Sequence, residues 1–130
     1  MTSRFLNVAF TPAVKEAQAA NGSRQAYSMR DGETARDSLT DAEAGFITSR
    51  DSFYIASVSE TGWPYLQHRG GAAGFVKALS ATQIAFADFR GNRQYVSVGN
   101  LSRDDRAALF FMDYPSQTRL KLLGHVRTVN

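Results

Sequence analysis

Ser52-Phe53-Tyr54-Ile55-Ala56-Ser57-Val58-Ser59-Glu60-Thr61-Gly62-Trp63-Pro64-Tyr65-Leu66-Gln67-His68-Arg69-Gly70-Gly71 is where the chain leaves helical spacing for a period of two. Phe53, Ile55 and Val58 mark an apolar strand over Ser52 to Ser59. Glu60-Thr61-Gly62 turns the chain, and Trp63-Pro64-Tyr65-Leu66 opens a returning strand, so the stretch reads as a β-hairpin. The second strand runs through Gln67, His68 and Arg69 and is broken by Gly70-Gly71 and again by Gly74.

Before the hairpin the signals are helical. Thr11-Pro12 starts a helix, Ala13 to Ala20 are good helix formers, and Asn21-Gly22 stops it. Ser23 to Asp37 are polar and read as a surface connection. Thr40-Asp41-Ala42-Glu43 is a capping box that starts a short helix to Ser49, with Ala42, Phe46 and Ile47 as its expected buried side. Beyond the hairpin, strands are predicted over Phe75 to Leu79 and Gln83 to Ala87. Tyr95 to Leu101 fits either a strand or a short helix. Ala107 to Asp113 is a nearly continuous apolar strand, predicted to be buried on both faces. Arg119 to Val129 is a final strand, which must pair across a closing barrel, with a partner copy, or with more chain. Two helices followed by about six short strands describe a mainly β protein with N-terminal helices (α+β) and a small barrel. The expected division is an N-terminal helix and connecting segment at 1–37 and a barrel at 38–130, one domain overall.

At 130 residues the chain suffices for one core. It has no cysteine, which excludes disulfides, thiolate zinc and thiol catalysis, and its two histidines make a His-rich metal site a poor expectation. No apolar run spans a bilayer, so a cytoplasmic protein is expected. The net charge of +3 suits anionic ligands, but the basic residues are scattered, so nucleic acid is disfavoured against a small phosphorylated molecule.

Two donor clusters carry the functional reading. Gly91-Asn92-Arg93-Gln94 follows the apolar run Ile84-Ala85-Phe86-Ala87-Asp88, and such a turn presents bare backbone N–H groups with a guanidinium, a set suited to phosphate. Gln67-His68-Arg69-Gly70-Gly71 is the second cluster. On a regular strand Gln67 and Arg69 share one face and His68 takes the other. Phe53, Tyr54, Phe110 and Phe111 read as core, and Trp63 and Tyr65 either line a pocket or pack on helices. Asp104 and Asp105 beside Arg103 and Arg106 read as a solvated charge run, and His125 as a surface residue.

The order Trp63-Pro64-Tyr65, Gln67-His68-Arg69-Gly70-Gly71, Phe86-Ala87-Asp88, Gly91-Asn92-Arg93, Asn100-Leu101, Ala108-Leu109-Phe110-Phe111 and Leu122-Leu123-Gly124 resembles the pyridoxamine 5′-phosphate oxidase-like flavin-binding family, in its flavin-nucleotide-binding branch. The resemblance covers roughly Leu39 to Asn130. It implies a six-stranded FMN-binding split barrel of Greek-key type that works as a homodimer with FMN at the interface. By position it implies FMN contacts from Gln67, His68, Arg69 and Gly70, a phosphate turn made by Asp88, Asn92, Arg93 and Gln94, and Arg119 and Lys121 reaching the flavin ring from the partner subunit. Where the family often has Ser-Arg-Lys, this chain has Gly91-Asn92-Arg93, so one hydroxyl and one cation are missing. The implied activity is an FMN-dependent oxidoreductase of unknown substrate. A non-catalytic module of the same fold, holding flavin or another planar cofactor such as haem or a deazaflavin, is the alternative.

Overall fold

The computed structural model of the protein describes residues 2–24, 35–87 and 95–129. The chain divides into two compact units, Met1–Ser38 and Leu39–Asn130. In the first, β1 (Thr2–Ser3) pairs in parallel with β2 (Ala35–Arg36), and α1 (Arg4–Ala9) precedes α2 (Pro12–Ala20). Pro12 occupies the first turn of α2, where its missing N–H costs nothing. Thr11 Oγ1 accepts from Val14 N–H at 3.3 Å. Asn21 and Gly22, the latter at φ +80°, close the helix. The short α1 carried no signal in the sequence.

The second unit begins with α3 (Asp41–Thr48). Both halves of its capping box form: Thr40 Oγ1 accepts from Glu43 N–H at 3.1 Å, and Glu43 Oε1 accepts from Thr40 N–H at 2.9 Å. Ile47 is fully buried and Phe46 packs beside the core, but Ala42 is exposed. The buried face of α3 is thus confined to its C-terminal half, because the capped first turn with Asp41 and Glu43 stands in solvent.

Six strands follow, all antiparallel, as one sheet of four and one of two. The larger runs in the order β4 (Pro64–Gly70), β3 (Ser52–Val58), β7 (Arg106–Asp113), β8 (Thr118–His125). The smaller pairs β5 (Lys77–Ser80) with β6 (Gln83–Ala85) through a register shift between Ala78 and Ser80. The β3–β4 turn uses Gly62 at φ +88°, a conformation that favours glycine. The strand expected from Phe75 begins only at Lys77, because a turn carries the chain from Ala72, with Phe75 N–H donating to the Ala72 carbonyl at 2.9 Å. The strands expected to reach Ala87 and Val129 end at Ala85 and His125.

One face of the four-stranded sheet, here the inner face, holds the core. Phe53, Ile55, Leu109, Ala107 and Phe111 are buried there, with Val76 and Ile47 packed against them. Phe53 is the hub, with ring centroids of Phe86, Phe111 and Phe75 at 4.9, 5.2 and 5.8 Å. Full burial of each such side chain stabilises the fold by about 1.5–3 kcal/mol. The other face, the outer face, is only partly covered, so β7 is not buried on both sides as its composition predicts. Ala107, Leu109 and Phe111 are buried, whereas Ala108, Phe110 and Met112 are half-buried. Phe110 and Tyr54, expected in the core, lie on this outer face.

Tyr95 to Leu101 resolves as a helix, α4 (Val96–Arg103), entered through Tyr95 in the left-handed conformation at φ 56°. Two β-branched valines favour a strand locally. Tertiary hydrogen bonds from Ser97 and Asn100 on one side of a helix override that preference.

Candidate functional site

The hairpin fixes the side-chain directions. Phe53 pairs with Arg69, Ile55 with Gln67 and Ser57 with Tyr65, and directly opposed residues share a face. Arg69, Gln67 and Tyr65 therefore stand on the inner face at the edge of the core, each partly buried. Arg69 Nε is shielded from solvent. His68 pairs with Tyr54 on the outer face, their rings edge-on at 5.3 Å. The strand alternates without a break to Gly70, so Gln67 and Arg69 come together and His68 does not join them.

Gln67 is anchored by α4. Ser97, almost fully buried, donates from Oγ to Gln67 Oε1 at 2.7 Å. One turn on, Asn100 Nδ2 donates to Ser57 Oγ at 3.1 Å, with both residues buried. Buried polar groups demand such partners, so the pair sets how α4 seats on β3 and β4. Neither Ser97 nor Ser57 is singled out by the sequence, and Asn100 enters there only in the Asn100-Leu101 pair of the family resemblance. Their signal is the three-residue spacing of Ser97 and Asn100 with Leu101 beside them, legible once a helix is assumed.

The glycines have an internal reason. A Cβ on Gly71 would come within 2.9 Å of the Phe75 ring, so Gly71 makes room for a core side chain. Gly71 N–H donates to the Asp51 carbonyl at 2.9 Å.

Arg119 and Lys121 stand on the outer face, exposed, opposite Met112 and Phe110. Cross-strand registers place His68, Tyr54, Phe110 and Lys121 in one row across the sheet. The next row is apolar throughout: Leu66, Ala56, Ala108 and Leu123. Leu66 is 65% and Leu123 44% exposed, which is unusual for leucines aligned in a sheet. Asp88, Asn92, Arg93 and Gln94 lie outside the described residues.

Several other charged side chains pair with one another. Arg50 Nη1 pairs with Asp113 at 3.1 Å, and its guanidinium lies 4.6 Å over the Phe46 ring, closing one end of the core. Hydrogen bonds from Ser116 and then Arg50 lower the Asp113 carboxyl from its usual value. Arg106 clamps Asp104 through Nε at 2.9 Å and Nη2 at 2.6 Å, holding its carboxyl at about 2. His125 Nδ1 pairs with Asp105 at 2.8 Å in solvent. Trp63 is exposed. Among the described residues no group of three or more His, Asp or Glu could hold a metal, and no helix is long and apolar enough to cross a membrane.

Searches of curated proteins and of solved structures returned no match. A family model described as pyridoxamine 5′-phosphate oxidase matches residues 39–130, which are the whole of the second unit. A match over that share of the sequence, spanning the hairpin, α4 and both long strands, means that the chain belongs to the pyridoxamine 5′-phosphate oxidase family.

Proposed function

We propose that the chain binds flavin mononucleotide and serves a flavin-dependent oxidoreduction, as a homodimer of six-stranded split barrels. Beside family membership, the observation that carries this reading is the joint position of Arg69 and Gln67 on the inner face. The donor set fits the group. A guanidinium is permanently charged and fork-shaped, and an amide adds a neutral donor about 7 Å along the strand. Such a pair suits an anionic tail better than a neutral one.

Flavin mononucleotide, when bound, supplies the hydride or electron chemistry. The protein's part is to hold and orient it. In this reading Arg69 takes an anionic oxygen, Gln67 donates beside it, and backbone Gly70 lets the ligand approach. Asp88, Asn92, Arg93 and Gln94 complete the phosphate end. The apolar row Leu66-Ala56-Ala108-Leu123 seats a second copy, which brings His68, Arg119 and Lys121 of each outer face to the interface. The cysteine-free composition suits a reducing, cytoplasmic compartment.

The test is titration of the purified protein with FMN, followed by quenching of flavin fluorescence. Saturable binding is expected, with Arg69→Lys and Arg93→Ala each weakening it by about tenfold or more while far-ultraviolet circular dichroism stays the same. Unchanged affinity in both variants removes the phosphate-site reading. Bleaching of the bound flavin by a reduced nicotinamide, with reoxidation by an acceptor, tests the redox half. Bound flavin that is never reduced leaves a binding module.

A further inference from the structure

We propose that Ser97 is a positioning residue for the cofactor, acting through Gln67; the proposal rests on the flavin reading above. Ser97 is 4% exposed and its hydroxyl spends its only proton on Gln67 Oε1 at 2.7 Å. That bond settles which way the amide faces. Ser97 occupies one Oε1 lone pair and orients the amide, so what Gln67 chiefly offers a ligand is its Nε2 hydrogens. Its neighbour on the same face, Arg69, is a donor at every pH. The two together favour an acceptor oxygen, anionic or carbonyl.

The bond also reaches across the sequence. Ser97 lies in the first turn of α4, and α4 follows directly on the Gly91-Asn92-Arg93-Gln94 segment. Gln67 lies on β4 two residues before Arg69. One partly buried hydrogen bond therefore ties the strand bearing one donor cluster to the helix that follows the other. Asn100 to Ser57 and the packing of Leu101 hold the next turn of α4, so the Ser97 bond shares the seating of the helix and adds to it the orientation of Gln67.

The experiment compares FMN affinity, by fluorescence quenching, and thermal melting of the FMN-free protein for wild type, Ser97→Ala, Ser97→Thr, Gln67→Ala and the double alanine variant. Expected is a loss of affinity of about fivefold to tenfold in Ser97→Ala and in Gln67→Ala, the scale of one hydrogen bond. The double variant is expected to be no weaker than Gln67→Ala, and Ser97→Thr to recover affinity, because a residue acting through another adds nothing once that other is gone. Should Ser97→Ala not fold, Ser97→Cys takes its place, a thiol being a poor donor of similar shape. Wild-type affinity in Ser97→Ala, or additive losses in the double variant, overturns the positioning role and leaves the flavin reading standing. A wild-type protein that does not bind FMN overturns both.

Discussion

The inner and outer faces of the four-stranded sheet carry almost the same residue types and do opposite work. Phe111 and Phe110 are neighbours on β7, yet Phe111 is wholly buried beneath Phe53 and Leu109 while Phe110 is half-buried between Tyr54 and Lys121. The inner face is closed by α3, the β5–β6 hairpin and α4. The outer face has no such cover among the described residues. Two leucines, two alanines, a phenylalanine and a tyrosine form its middle. Hydrophobicity alone does not say which face is core. The direction in which helices and hairpins return onto the sheet says it.

The strongest test of that asymmetry is a pair of truncations. Phe111→Ala is expected to cost about 3–5 kcal/mol of stability and Phe110→Ala well under half as much, as read by denaturant unfolding. Equal costs would mean that the outer face is covered as thoroughly as the inner. Next comes the closure of the inner face at its end. Arg50→Ala removes the partner of Asp113 and the cation over Phe46, and about 1–3 kcal/mol is expected to be lost. A change too small to measure would make this pair a surface one.

A charge on the outer face separates association from folding. Leu66→Lys or Leu123→Lys should leave the monomer's circular dichroism and melting of secondary structure nearly unchanged, because both positions are already wet. If a second copy covers this face, sedimentation should show dimers becoming monomers. A dimer that survives both substitutions has its interface elsewhere.

The smallest effect lies at the rim, in acid. Asp104 is held at about 2 against an ordinary 3.8 by the Arg106 hydrogen bonds. A folded-state value below the unfolded one gives stability that is present above about 3.8 and is lost as pH falls through that window toward 2. Asp104→Asn should remove this acid-dependent slope and with it a modest stabilisation at neutral pH, modest because Arg106 is exposed and solvent screens the pair. A slope unchanged in the variant would show that other carboxylates set it.

The local signals in the sequence were those in which neighbouring residues satisfy one another. Thr40 and Glu43 cap α3 reciprocally, Thr11 and Pro12 start α2, and Gly62 turns the hairpin. Each is complete within a few residues, so no distant partner can overrule it. The alternation that puts Gln67 and Arg69 on one face and His68 on the other is of the same kind, because it follows from strand geometry alone. The element faces that were misread or left open share the opposite property. Ala42 falls on the side of α3 that the fold leaves in solvent. Val96-Ser97-Val98 stays open between strand and helix until Ser97 and Asn100 meet Gln67 and Ser57, which lie some thirty and forty residues earlier.

By itself, then, the sequence determined the starts of α2 and α3, the hairpin, the six strands of the second unit and the facing of the donor residues on β4, because short-range capping, turn and alternation chemistry closes on itself. The tertiary structure alone decided which side of the sheet is core, that α4 is a helix, and that Gln67 answers to Ser97. Those outcomes depend on which distant groups arrive at a buried polar atom or an apolar face, and no window of neighbouring residues contains that information.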